Sequence, residues 1–216
     1  MTEQNFEQMR RAMVSSQLRT TGVNDPRVVA AMGAVPRERF VPQDRVPLAY
    51  ADALVPLGHG RELNSPMALG RLLSEAALQG HEHALVIGAA TGYAAAVVAR
   101  LAKTVVSLEE EPELAASART TLADTNIEIV EGPLNAGWAA RAPYDFILID
   151  GAVEFVPQAI VDQLKDGGEV AVALLDDGVP RLSVGRAVGG ALGINSYSDA
   201  AAATLPCFQK PRGFSF

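Results

Sequence analysis

Residues 84–93 read ALVIGAATGY, residues 104–109 read TVVSLE and residues 144–150 read YDFILID. The first stretch is a short apolar strand, Ala84 to Ile87, that runs into a small-residue turn from Gly88 to Gly92 and then a helix through Leu101. The second is another strand, followed by a helix opened at Pro112 and running to about Ala123, and a third strand from Ile127 to Val130. Tyr144 to Asp150 is almost continuously apolar, as a strand covered on both faces is. A helix from Pro157 to Leu164, a turn at Asp166-Gly-Gly168 and a fifth strand from Glu169 to Leu174 complete the pattern. Strands alternating with helices predict an α/β fold built on a doubly wound, mostly parallel sheet.

Working outward, the first third of the chain is helical. Met9, Met13 and Leu18 recur near helical spacing and predict an amphipathic helix over Phe6 to Leu18. Asp25-Pro26 starts a second helix ending near Gly33, since Asp caps well and Pro suits the first turn. Pro36, Pro42 and Pro47 read as a loop, and Ser65-Pro66 opens a third helix to about Gln79. Beyond Asp177, a twisted pair of strands is expected around Val184–Val188 and Phe208; Phe208, Phe214 and Phe216 are read as covering the sheet edge, forming an interface or, the commoner case, packing into the core. The expected organisation is a single domain over 1–216: a helical part (1–80), an α/β core (81–176) and C-terminal strands (177–216).

Apolar residues make up 49% and charged residues 20% of the 216, enough to bury a sizeable core. The net charge of −7 argues against a partner held by phosphate contacts, so no nucleic acid is expected. The chain carries neither a secretory h-region nor an uncharged run of spanning length, so no membrane partner is expected and a cytoplasmic home is the default. A single cysteine, Cys207, excludes an internal disulfide. His59, His81 and His83 have no carboxylate at ligand spacing, and no metal is expected.

Ligands of open α/β sheets sit beyond the carboxyl ends of the strands, where the strand order reverses. That rule selects Gly88, Ala89, Ala90 and Gly92, whose N–H groups at a helix start are placed to hold a ligand, and Glu109 at the end of the second strand. An acid there commonly accepts both hydroxyls of a ribose. The same rule selects Gly132, Pro133 and Asp150. The alternatives are ordinary: a glycine turn used only for packing, and a buried Asp satisfied by backbone donors.

The ordered motifs resemble the protein-L-isoaspartate O-methyltransferase family over roughly Met13 to Leu175. Val35-Pro-Arg-Glu-Arg-Phe-Val-Pro42 is similar to its VPRExFVP, Ala49-Tyr-Ala-Asp52 to its AYxD, and Pro56-Leu-Gly-His-Gly60 to its PIGxG. Ile87-Gly88 with Gly92-Tyr93 resembles the ends of IGTGSGY, and Gly137-Trp138 with Ala142-Pro-Tyr-Asp145 resembles GW…APFD. The resemblance implies a Rossmann-like class I methyltransferase fold, S-adenosylmethionine as cofactor, and methyl transfer to isoaspartyl carboxylates of damaged proteins. Such a transfer asks mainly for positioning, because a carboxylate is already a nucleophile.

This sequence departs from the family where the chemistry is expected. Gly60-Arg-Glu-Leu-Asn64-Ser65-Pro66 stands in place of GQTISxP, so Asn64, beside Ser65, takes the position of the active-site serine. An amide can still donate to a carboxylate, which keeps Asn64 and Ser65 as acceptor-holding candidates. Glu62 replaces the threonine and calls for a partner such as Arg61, or for turning away. The family's acid after the first strand is Val86, its middle loop glycine is Ala90, and its adenine-reading GDG is Gly132-Pro133-Leu134. Two lost charge-assisted contacts at about 1.5–3 kcal/mol each predict cofactor affinity lowered by orders of magnitude unless replaced. Three readings stay open: an active isoaspartyl methyltransferase, a degenerate relative with a binding or scaffold role, and a methyltransferase with a changed acceptor.

Overall fold

The computed structural model describes residues 3–210. Helix α1 (Glu3–Met13) is shorter than the predicted Phe6–Leu18, and a wider π turn, Val14–Leu18, continues it. The widening has a packing cause. Met13 and Leu18 are both fully buried, yet five residues of an ideal α-helix would turn them roughly 140° apart at about 100° per residue. Hydrogen bonds reaching i→i+5 bring them back to one side. Helix α2 (Pro26–Ala34) starts as expected, with the Asp25 side chain accepting from the Arg27 N–H.

The proline-rich stretch is not all loop. Strands β1 (Val55–Gly58) and β2 (Arg61–Leu63) form an antiparallel hairpin whose tip, His59-Gly60, has positive φ at both residues, as a tight hairpin turn requires. Strands of four and three residues are too short for alternation to announce them. Helix α3 (Pro66–Ala76) stops before the predicted Gln79, because Ala77 turns left-handed at φ 48°.

The remainder follows as β3 (His83–Ile87), α4 (Tyr93–Val98), β4 (Thr104–Glu109), α5 (Pro112–Thr121), β5 (Glu128–Glu131), β6 (Tyr144–Val153), α6 (Gln158–Val161), β7 (Leu164–Asp176), β8 (Val179–Val188) and β9 (Ala191–Asp199). One seven-stranded sheet runs β5-β4-β3-β6-β7-β8-β9, parallel through β7 and antiparallel thereafter. The predicted helix to Leu164 shrinks to α6. Leu164 already pairs with Tyr144 in the sheet, so the Asp166-Gly-Gly168 turn falls within an irregularity of β7.

Strand alternation divides the core in two. Ala84, Val86, Phe146 and Leu148 face the N-terminal helices, α3 and α4. Leu85, Ile87, Ile147 and Ile149 face α6 and the C-terminal residues Leu205 and Phe208. Phe208 is therefore core, as expected, but it lies in a single 3-10 turn, Pro206–Phe208, rather than in a strand. The strand paired with β8 is β9. Phe214 and Phe216, expected in the core, lie outside the described residues. Among the described residues, no helix is long and apolar enough to cross a membrane.

The start of α4 rests on Gly92, at φ 97°, where an added Cβ would lie 2.6 Å from Leu122 Cδ1 and 3.3 Å from Ala118 Cβ. Gly92→Ala should combine left-handed strain with overpacking and cost about 2–4 kcal/mol in denaturant unfolding. A cost below about 1 kcal/mol would show that α5 gives way there.

Candidate functional site

The strand order reverses at β3, which lies between β4 and β6, so the carboxyl rim brings together Gly88 after β3, Glu109 closing β4, Gly132 after β5 and Asp150 within β6. The β1–β2 hairpin supplies what closes over them. In β2, Arg61 and Leu63 are buried while Glu62 between them is half-exposed, so alternation turns Glu62 away from the rim and sends Arg61 into it.

Arg61 does not pair with Glu62. Its Nη1 lies 2.5 Å from Glu109 Oε1, and its Nη2 donates to the Gly88 carbonyl at 2.9 Å. Glu109 is 1% exposed, and three backbone N–H groups join the arginine on its carboxylate. Oε2 accepts the Ala90 N–H at 2.7 Å, and Oε1 accepts the N–H groups of Glu110 and Glu111 at 3.0 and 3.1 Å. A buried ion pair stands only when its desolvation is repaid by further bonding of this kind.

The turn amides, expected to be available to a ligand, are engaged within the chain. Gly88 and Ala89 donate to the Leu108 carbonyl, Ala90 to Glu109, and Gly92 to the Ala89 carbonyl. This binding is what holds Ala90 at φ 49°, a conformation a non-glycine residue adopts only under constraint. Thr91 ties the same turn to the N-terminal part through Oγ1 and the Phe40 carbonyl. Gly132 packs beside Trp138, with Cζ3 3.1 Å from where a Cβ would stand, and Pro133 offers no N–H.

Asn64 is engaged at both ends of its amide. Nδ2 donates to Asp150 Oδ1 at 2.7 Å, and Oδ1 accepts the Ala203 N–H at 2.8 Å. The carboxylate that this amide holds is therefore the chain's own. Ser65 caps α3, its Oγ accepting from the Ala68 N–H at 3.3 Å. Arg37, of the VPRERF stretch, is wholly buried over the Tyr93 ring and donates Nε to the Ala49 carbonyl and Nη2 to the Asn64 carbonyl, which fixes Asn64 from behind. Burial pushes the Asp150 carboxyl above the ordinary aspartate value, with Asn64, Arg61 and Arg37 opposing the rise.

The C-terminal segment seals the rim. Ala203 and Leu205 bond to Ala152 in the manner of an added strand, with Ala152 N to Ala203 O at 2.6 Å and Leu205 N to Ala152 O at 2.9 Å. Leu205 then lies across the glycines. A Cβ on Gly151 would stand 2.6 Å from Leu205 Cγ, and one on Gly88 would meet Leu205 Cδ1 and Arg61 Nη2, both at 3.1 Å. Sequence reasoning missed Arg61 and Leu205. The available signal was the arginine standing at the glutamine of GQTISxP.

Residues 8–184 match the family model of Protein-L-isoaspartate(D-aspartate) O-methyltransferase. The chain belongs to this family. A relative named Protein-L-isoaspartate O-methyltransferase 2 from Anaeromyxobacter is 40% identical over 181 residues, 82% of this chain and 74% of that one. A Synechococcus protein-L-isoaspartate O-methyltransferase is 42% identical, over 77% of this chain and 70% of its own length. A solved protein-L-isoaspartate O-methyltransferase shares the fold at TM-score 0.80 and 24% identity, covering 91% of this chain, which spans 65% of that one. A Plasmodium falciparum structure, described as a candidate member in complex with S-adenosyl-L-homocysteine, superposes at TM-score 0.76 and 17% identity, over 94% of this chain and 98% of that one.

For S-adenosylmethionine, the cofactor of the family resemblance, the rim as described does not fit. Arg61 lies against the acid where a ribose would bond, Leu205 covers Gly88, and the turn amides are already engaged.

The raised Asp150 value has a sign. A carboxyl whose folded value exceeds the unfolded one, about 3.9, stabilises most below that pH, and this contribution is lost as pH rises through the raised value. Asp150→Asn keeps an oxygen for the Asn64 amide and removes the buried charge. It should raise Tm at pH 7, by roughly 2–4 °C for each kcal/mol, and the gain should shrink toward pH 4. A Tm lowered at pH 7 and unchanged at pH 4 would contradict the assignment.

Proposed function

We propose that this family member carries out isoaspartyl carboxyl methylation, transferring methyl from S-adenosylmethionine to isoaspartyl groups of damaged proteins, from a form in which the rim is open. The observation that carries the reading is Glu109. It closes β4 beside the Gly88–Gly92 turn, held by three backbone N–H groups, inside a family match spanning most of the chain. In such a form Glu109 would hold the ribose hydroxyls, and Gly88, Ala89, Ala90 and Gly92 would line the cofactor's path. Gly132, Pro133 and Asp150, on the same carboxyl rim, would complete the cofactor's surroundings. Asn64 holds the acceptor carboxylate in place of the family serine, with Ser65 keeping that segment in register at the start of α3. The partner is an isoaspartyl-containing protein or peptide in the cytoplasm.

A second reading, a degenerate relative with a binding or scaffold role, is favoured by one observation: Arg61 is bonded to Glu109 and Asn64 to Asp150, so the groups expected to hold ligand are paired within the chain.

Calorimetry with S-adenosylmethionine, followed by mass spectrometry of an isoaspartyl peptide, separates the two. The first reading expects saturable binding and a peptide heavier by one methyl group. No binding at millimolar cofactor and no methylated peptide would transfer the assignment to the second.

A further inference from the structure

We infer that Arg61 and Leu205 form an internal plug of the nucleoside site, and that a nucleoside enters only by expelling both, which releases the C-terminal segment from β6. The inference rests on the methyltransferase reading and adds to it an autoinhibitory contact. Arg61 imitates a ligand: its two terminal nitrogens bond Glu109 and the Gly88 carbonyl, the two polar groups that flank the turn. Leu205 fills the apolar side of the same space. The two meet over one point, since the Cβ position of Gly88 lies 3.1 Å from each. Expelling one therefore opens half a site.

The two halves are also joined covalently and by hydrogen bonds. Arg61 and Asn64 lie three residues apart, and Asn64 Oδ1 holds the Ala203 N–H two residues before Leu205. A shift of the hairpin that withdraws Arg61 thus loosens the segment, and departure of the segment removes a bond from Asn64. Glu109 does not depend on the plug for its position, because the N–H groups of Ala90, Glu110 and Glu111 stay with it when Arg61 leaves. The carboxylate is left aimed at the vacated space, preorganised for a diol.

S-adenosylhomocysteine titrations of the full chain, Arg61→Gln and Leu205→Ala test the plug without any reaction. Leu205→Ala keeps the ion pair and stays informative if Arg61→Gln fails to fold. Each variant should bind at least tenfold more tightly than the parent chain. Hydrogen exchange on the parent chain with saturating ligand should show the Ala203 and Leu205 amides losing protection. Tight parent binding that neither substitution improves, with both amides still protected, would overturn the plug and leave the methyltransferase reading standing. Absence of binding to every variant at millimolar ligand would overturn both.

Discussion

The rim of this protein is organised by a buried ion pair. Arg61 and Glu109 come from elements 48 residues apart in sequence, a hairpin strand and a core strand, and they meet where 8% and 1% of their side-chain surfaces remain exposed. Such a pair is not stabilising by its charges alone, since desolvation consumes most of the attraction. Its persistence depends on the Gly88 carbonyl that takes the second arginine nitrogen and on the three amides that face the carboxylate. Once these bonds are made, the turn between β3 and α4 has few free donors left. The left-handed Ala90 and the position of the β1–β2 hairpin follow from the same set of bonds.

The C-terminal segment extends this constraint across the sheet. Leu205 and Phe208 belong to the core layer under Leu85, Ile87 and Ile149, so the segment is held by apolar burial as well as by its bonds to Ala152 and Asn64. A fully buried side chain of that size contributes about 1.5–3 kcal/mol relative to exposure. The rim is thus closed by groups whose removal has a cost, and a ligand must repay that cost before its own contacts count. Family membership carried by about 40% identity thus coexists with a site whose polar groups, expected to hold ligand, already hold other parts of the chain.

Much of the fold was legible because the core strands are apolar runs between strong punctuation. Thr104–Glu109 is read to the residue, since Lys103 and Pro112 bracket it and Val105, Val106 and Leu108 make its interior mostly apolar. The Asp25-Pro26 and Ser65-Pro66 helix starts were equally plain, because a capping side chain and a proline act locally. What escaped depends on contacts distant in sequence. The π turn after Met13 answers to burial of Leu18, and the β1–β2 hairpin is stabilised by what it packs on rather than by its own pattern. Of the two expectations for Glu62, a pair with Arg61 or turning away, strand alternation selects the second by sending adjacent side chains to opposite sides. Asn64 was recognised as a carboxylate donor. That the carboxylate would be Asp150, 86 residues away, required the sheet to exist first.

The most direct test of the ion pair as organiser is a double-mutant cycle in urea with Arg61→Ala, Glu109→Ala and the double variant. Each single change leaves a buried charge unpaired and should cost about 3–5 kcal/mol, while the double variant should cost little more than either one, a coupling of at least about 2 kcal/mol. Additive losses, with coupling under about 0.5 kcal/mol, would mean that the two groups are buried independently and that the rim is shaped by something else.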